Sequence, residues 1–248
     1  MPPDAIDFSV RANLIERMDE PCSRDVLRAY LRSLARTNRL TFGYRPTLRW
    51  LDSLLPTLKQ RGNPIRIVDV GCGYGDGLRR IEQWAQSRGT HVELTGIDLN
   101  PDAVAIAIEA GPKQSRIEWI QADVLSFVPA QPPDLVVSAL FTHHLAENEI
   151  VRFLTWMESH AQIGWFISDL SRAPIPYHFF RLYSRLLGLH PCVQYDGPIS
   201  IARSFIHEDW QRMCAAAGLE EQDVNIESFT PARLCVSRRK SSLWRLNR

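Results

Sequence analysis

Cysteine is scarce and scattered: five residues in 248, at positions 22, 72, 192, 214 and 235, with no C-x-x-C pair among them. An odd number at such spacing argues against a disulfide framework and against a cysteine-based zinc site, and suits the reduced thiols of a cytoplasmic chain. The opening MPPDAIDFSVR has no basic stretch leading into an apolar one, so no secretory signal is read, and no apolar run is long enough to span a bilayer. The expected localisation is cytoplasmic. Net charge is nearly absent, +1 at pH 7, which gives no reason to expect a nucleic-acid partner. Internal repeats and low-complexity segments are lacking too.

What is present is an alternation. Residues 1–63 read as a helical cap, with Val26, Leu27, Tyr30, Leu31 and Leu34 on one face of a helix over 23–38 and a second helix from about Pro46 through Leu55. Arg24, Arg28, Arg32 and Arg36 form a stripe on the first helix, suited to a solvated face or to a cover over a site. Over 64–237, strands at 65–70, 91–98, 116–120, 134–139 and 164–169 alternate with helices at 77–88, 101–110 and 148–161. Residues 170–206 interrupt the pattern as an aromatic-rich insertion, read as a substrate lid with an amphipathic helix around Phe179–Leu187. A helix at 207–217 and strands at 223–229 and 233–237 follow. The expected fold is α/β: a Rossmann-like, doubly wound, seven-stranded, mostly parallel sheet with an N-terminal helical extension and a lid after the fifth strand. Residues 238–248 form a tail with five positive charges and no acid, fit for peripheral contact with an anionic membrane or for a loose end.

Four of the thirteen glycines fall at alternate positions in Asp69-Val-Gly71-Cys72-Gly73-Tyr-Gly75-Asp-Gly77, where a strand turns into a helix. Bare backbone there lets a ligand lie against the chain at the sheet's carboxyl edge. A dinucleotide fingerprint starting at Gly71 requires glycine at 76, and the residue is Asp. A carboxylate at a helix N-terminus opposes a pyrophosphate but not a cation. A nicotinamide oxidoreductase is therefore the weaker reading.

This loop, with Asp98 ending the second strand and Gln121-Ala122-Asp123-Val124 after the third, resembles the class I S-adenosylmethionine-dependent methyltransferases. The resemblance implies S-adenosylmethionine as cofactor, held by Asp69, Gly71, Cys72, Gly73 and Gly75. It further implies Asp98 on the ribose hydroxyls, Asp123 on the adenine amine, and Leu99 and Val124 lining the ring. Ala139 is expected to face the methyl group, and, where the N-terminal helices cover the site, Arg45 is expected to reach the cofactor carboxylate. After the fourth strand the chain reads Phe141-Thr142-His143-His144-Leu145. It lacks the Asn/Asp-Pro-Pro-aromatic segment of enzymes that methylate exocyclic or amide nitrogens, and the Pro-Cys of the cytosine C5 enzymes. It is similar instead to bacterial small-molecule methyltransferases of polyketide and quinone biosynthesis. His143 is expected as the base, with His144 the alternative, or as a helix-capping residue; Tyr177, His178, Arg181, Asp196 and Arg203 are expected at the acceptor. No metal is implied. The implied reaction is methyl transfer to a phenolic or lipidic small molecule, O-methylation ahead of C-methylation of an activated ring. A cofactor-binding protein without turnover is the remaining alternative.

Overall fold

The computed structural model describes residues 6–60 and 64–240. Seven strands, β1 (Ile65–Val70), β2 (Val92–Asp98), β3 (Glu118–Gln121), β4 (Leu135–Ala139), β5 (Gly164–Leu170), β6 (Val224–Phe229) and β7 (Arg233–Arg239), form one sheet in the order β3-β2-β1-β4-β5-β7-β6. Only β7 runs antiparallel to its neighbours, pairing Leu170 with Arg233 at one end and Gly164 with Arg239 at the other. The order reverses between β1 and β4, so ligands are expected at the carboxyl ends of those two strands.

Strand periodicity explains the two buried faces. Val68 and Val70, Val136, and Trp165 and Ile167 point to one side, where α5 (Glu147–His160) and α8 (His207–Ala216) cover them with Ile150, Phe153 and Trp210. The intervening Ile65 and Ile67, Leu135 and Val137, and Phe166 point to the other. There α2 (Arg45–Gln60) and α3 (Asp76–Ser87) supply Trp50, Leu51, Leu54, Leu78 and Ile81. Strands buried on both faces read as nearly continuous apolar runs, which is why they are visible in the sequence.

The N-terminal extension is helical as expected: α1 (Arg24–Leu40) is followed by α2. Two of the four stripe arginines are tied down, Arg24 to Asp102 at 2.7 Å and Arg28 to Glu109 at 2.7 Å, both acids lying on α4 (Pro101–Ala110). The insertion after β5, expected to carry an amphipathic helix around Phe179–Leu187, forms two helices, α6 (Pro174–Leu186) and α7 (Pro191–Arg203). Gly197 lies inside α7 because the Phe180 ring of α6 presses against it; a Cβ there would sit 2.1 Å from that ring. Its role is close helix packing, and the Asp-Gly pair makes no turn. Of the basic tail, Arg238 and Arg239 end β7, Lys240 follows them, and the rest lies outside the described residues.

Candidate functional site

The loop after β1 is built on left-handed glycines. Gly71, Gly73 and Gly75 have φ of 71°, 50° and 73°. Two of them also leave room for aromatic rings: a Cβ on Gly71 would lie 2.6 Å from Phe141, and one on Gly75 would lie 2.2 Å from Trp119. Asp98 organises the loop from β2. Its Oδ2 accepts the Gly73 N–H at 2.8 Å and its Oδ1 the Asn100 N–H at 2.9 Å. Each carboxylate oxygen retains a lone pair for a ligand hydroxyl.

Three acids gather under this loop. Burial first, then Asp76 and Asp98 nearby, pushes the Asp69 carboxyl up to about 8. Burial also raises Asp76, whose carboxylate accepts the Tyr44 hydroxyl from the start of the α2 region, and burial raises Asp98 despite its backbone bonds. A ligand carrying positive charge and hydroxyls favours the ionised form of these carboxyls, whereas a pyrophosphate opposes it. The donor and acceptor set therefore fits S-adenosylmethionine.

A cavity of about 560 Å3 opens over the carboxyl edge of the sheet, with Asp69, Gly71, Cys72, Gly73, Ala139, His143, His144 and Arg45 in its walls. Leu31, Leu34, Phe179, Phe180, Tyr183 and Ile201 give it a largely apolar character. Leu99 and Asp123 lie outside it on an exposed rim, Leu99 being 66% exposed and Asp123 accepting the Leu125 N–H at 2.9 Å. Val124, expected against the adenine ring, packs in the core cluster with Ile97 and Val70.

His143 is deeply buried. Leu140, with φ 55°, turns the chain sharply after β4 and starts the 142–144 turn that carries it. Its Nδ1 lies 2.7 Å from Asp169 Oδ1 at the end of β5, and its Nε2 lies 3.8 Å from Glu16 Oε1. The Asp169 carboxylate also accepts the His143 and Leu170 backbone N–H groups and the Thr142 hydroxyl. Against the effect of burial, His143 and these donors hold Asp169 below the ordinary carboxylate range. The His144 ring lies tilted against that of His143 with centroids 4.3 Å apart, and its Nδ1 meets Asp19 at 3.0 Å.

The residues expected at the acceptor are spread out. Asp196 is fully buried and accepts the backbone N–H groups of Arg17 and Met18 at 2.9 and 3.2 Å. It clamps the N-terminal segment and does not face the cavity. Arg203 binds Asp19 at 2.5 Å and approaches Glu16 at 3.4 Å. Tyr177 packs edge-on against Phe8, Arg181 lies over the Tyr177 ring, and His178 is exposed on α6. Sequence reasoning missed Asp169, Glu16, Asp19 and Tyr44. Only Asp169 carried a local signal, an acid closing an otherwise apolar strand.

Glu16, His143 and His144 each bring one possible metal-ligand atom within 4.8 Å of the others. The Arg203 guanidinium beside Glu16 opposes a further cation there. Glu16 is 1% exposed and its Oε1 has no hydrogen-bond partner among the described residues. Burial pushes its carboxyl up to about 7, offset in part by His144 and Arg203 and reinforced by Asp196. A native pKa above the unfolded one means that ionisation withdraws stability as pH rises from about 4.5 through about 7. The Glu16→Gln variant is therefore expected to gain on the order of 2–3 kcal/mol over wild type at pH 8 and nothing at pH 4. Denaturant titrations from pH 4 to 8 check this; parallel curves would contradict it.

Residues 67–164 match the family model of a methyltransferase domain. The trans-aconitate 2-methyltransferase of Streptomyces avermitilis is 37% identical over 106 residues, 41% of this chain and 37% of that protein. The indolepyruvate C-methyltransferase of Streptomyces griseus is 34% identical over 110 residues, 41% of this chain and 31% of that one. The chain thus spans about a third of the length of these relatives. Among solved structures, the plantazolicin methyltransferase in complex with S-adenosylhomocysteine superposes with a TM-score of 0.62 at 16% identity, covering 87% of this chain and 96% of that one. Human N-acetylserotonin methyltransferase with S-adenosylmethionine gives 0.61 at 14% identity, covering 88% and 56%. At such identities these two likenesses speak for the fold.

Proposed function

We propose that the chain is a class I S-adenosylmethionine-dependent methyltransferase, a reading that the methyltransferase-domain match over residues 67–164 supports, and that it methylates a small, largely apolar acceptor, on oxygen in preference to carbon, with His143 as the base. The observation that carries this is the Asp169–His143 pair in the wall of the cavity that the glycine loop also lines. When bound, S-adenosylmethionine supplies a methyl group already activated by its sulfonium charge. The protein has to hold the acceptor in line and take its proton.

Asp169 accepts from Nδ1–H and so leaves Nε2 of His143 to receive the acceptor's hydroxyl proton. The Gly71–Gly75 loop and Asp98 hold the nucleoside, with Leu99 on the open rim available to its base. Leu31, Leu34, Phe179 and Phe180 exclude water from the acceptor and favour an aromatic or lipid-like molecule. A phenol suits a histidine base, which is why oxygen is preferred.

The test is calorimetry with S-adenosylhomocysteine and NAD, followed by labelled-methyl transfer to a panel of phenols and quinone-like lipids. Wild type is expected to bind S-adenosylhomocysteine and not NAD. Asp98→Ala is expected to lose 10- to 100-fold in that affinity, the scale of an unpaired polar ligand group. Binding of NAD with exclusion of S-adenosylhomocysteine would falsify the proposal.

A further inference from the structure

Among the charged groups in the cavity wall that methyl transfer as described does not use, Arg233 stands out. Arg233 opens β7 in register with Leu170, one residue beyond the Asp169 that holds His143. It lines the same cavity and is only 6% exposed. Its Nη2 donates to Asn38 Oδ1 at 3.1 Å, and its Nη1 is buried with no partner among the described residues. Gly43 makes space for it, since a Cβ there would lie 2.6 Å from Nη2. Asp169, the acid whose field reaches it, is already committed to His143, Thr142 and two backbone groups.

Arg172 supplies the contrast. It is equally buried, yet its guanidinium binds Asp209 at 2.8 Å and the carbonyls of Ser204 and Phe8. A guanidinium buried without a counter-charge costs several kcal/mol. Its free donors match a carboxylate, which can accept two of them side by side. Burial lowers the Arg233 pKa from its ordinary value, as expected for a charge whose partner is absent.

Resting on the methyltransferase reading, we propose that Arg233 is the anchor for a carboxylate on the acceptor, so that the acceptor class is an organic acid with an apolar body whose methylated group meets His143. Two carboxylates could in principle arrive there, the acceptor's and that of the cofactor's methionine. Strand position favours the acceptor's: β7 lies three strands from β1 in the sheet order, roughly 14 Å at the usual strand spacing, and on the His143 side. Arg45, exposed in the wall, and Arg80, which lies over the Tyr44 ring, remain as candidates for the cofactor.

The experiment titrates wild type, Arg233→Met and Arg233→Lys with matched pairs of probes, naphthoic and hydroxynaphthoic acids against the corresponding naphthols, at saturating S-adenosylhomocysteine. Wild type should prefer the acid of a pair by at least tenfold. The Met variant should lose that preference while melting at a higher temperature than wild type, and the Lys variant should keep part of it. No preference in wild type, or the same preference in the Met variant, overturns the proposal. S-adenosylhomocysteine and 5′-methylthioadenosine, which lacks the amino-acid end, are titrated into the same variants. If Arg233→Met weakens only the former by tenfold or more, the carboxylate is the cofactor's and the proposal fails. Wild-type binding of S-adenosylhomocysteine is read separately, so failure of the methyltransferase reading is not mistaken for failure of the anchor.

Discussion

His143→Gln is expected to lower kcat by 10²–10⁴-fold, the usual worth of a positioned general base, with the affinity for S-adenosylhomocysteine unchanged. Gln is chosen over Ala because the residue is 3% exposed and a void there would add a packing cost. Asp169→Asn tests the same unit through its support. Asp169 touches no ligand and acts by holding Nδ1 at 2.7 Å, so it is a positioning residue. Its amide replacement can present a donor to Nδ1 and so favour the tautomer with the proton on Nε2, where a base must be free. The variant should lose kcat by a similar factor, keep its KM for the cofactor within about threefold, and displace the pH profile of kcat. A purely structural Asp169 would lower the melting temperature and leave that profile in place.

Gly75→Val should damage both folding and cofactor binding. The position combines φ 73° with a Cβ site 2.2 Å from Trp119. Left-handed backbone at a β-branched residue costs about 1–3 kcal/mol, and the overlap a similar amount. The sum, about 2–6 kcal/mol, is a large part of an ordinary domain's stability. Adding Trp119→Leu should restore the steric share but not the backbone share, because the ring can be shortened and the dihedral angle cannot. S-adenosylhomocysteine affinity in the double variant should stay at least tenfold below wild type. Complete recovery would show that the left-handed turn is dispensable.

The sheet was legible because its strands are buried on both sides and flanked by turn residues; Ile65–Val70 and Leu135–Ala139 emerge within a residue or two of their expected bounds. The glycine loop was legible because a single chemical demand shaped consecutive residues. The region after β5 was legible only in part, since the helix expected around Phe179–Leu187 is α6 and nothing in the pattern marked α7. Asp196-Gly197 has the composition of a turn, and only the approach of Phe180 from another helix explains a glycine there. The surroundings of His143 were harder still. Glu16 and Asp169 are 153 positions apart and each alone is an unremarked acid, while Arg203, expected at the acceptor, meets Glu16 and Asp19 only in the fold. Periodicity reports burial of an element's face, whereas a site is assembled from residues whose proximity only the folded topology creates.

The segment from Phe8 to Asp19, with no more than one short turn of helix, is fastened by side chains to backbone: Arg172 to Phe8, Arg11 to the carbonyls of His143, Leu145 and Arg203, and Asp196 to Arg17 and Met18. None of these fastenings belongs to the sheet. The reaction chamber is thus a composite, one wall cast with the fold and the other strapped on afterwards. Detaching the strap would leave every strand paired yet take Glu16 and Met18 out of the cavity wall, so the sheet can be complete while the chamber above it stands open.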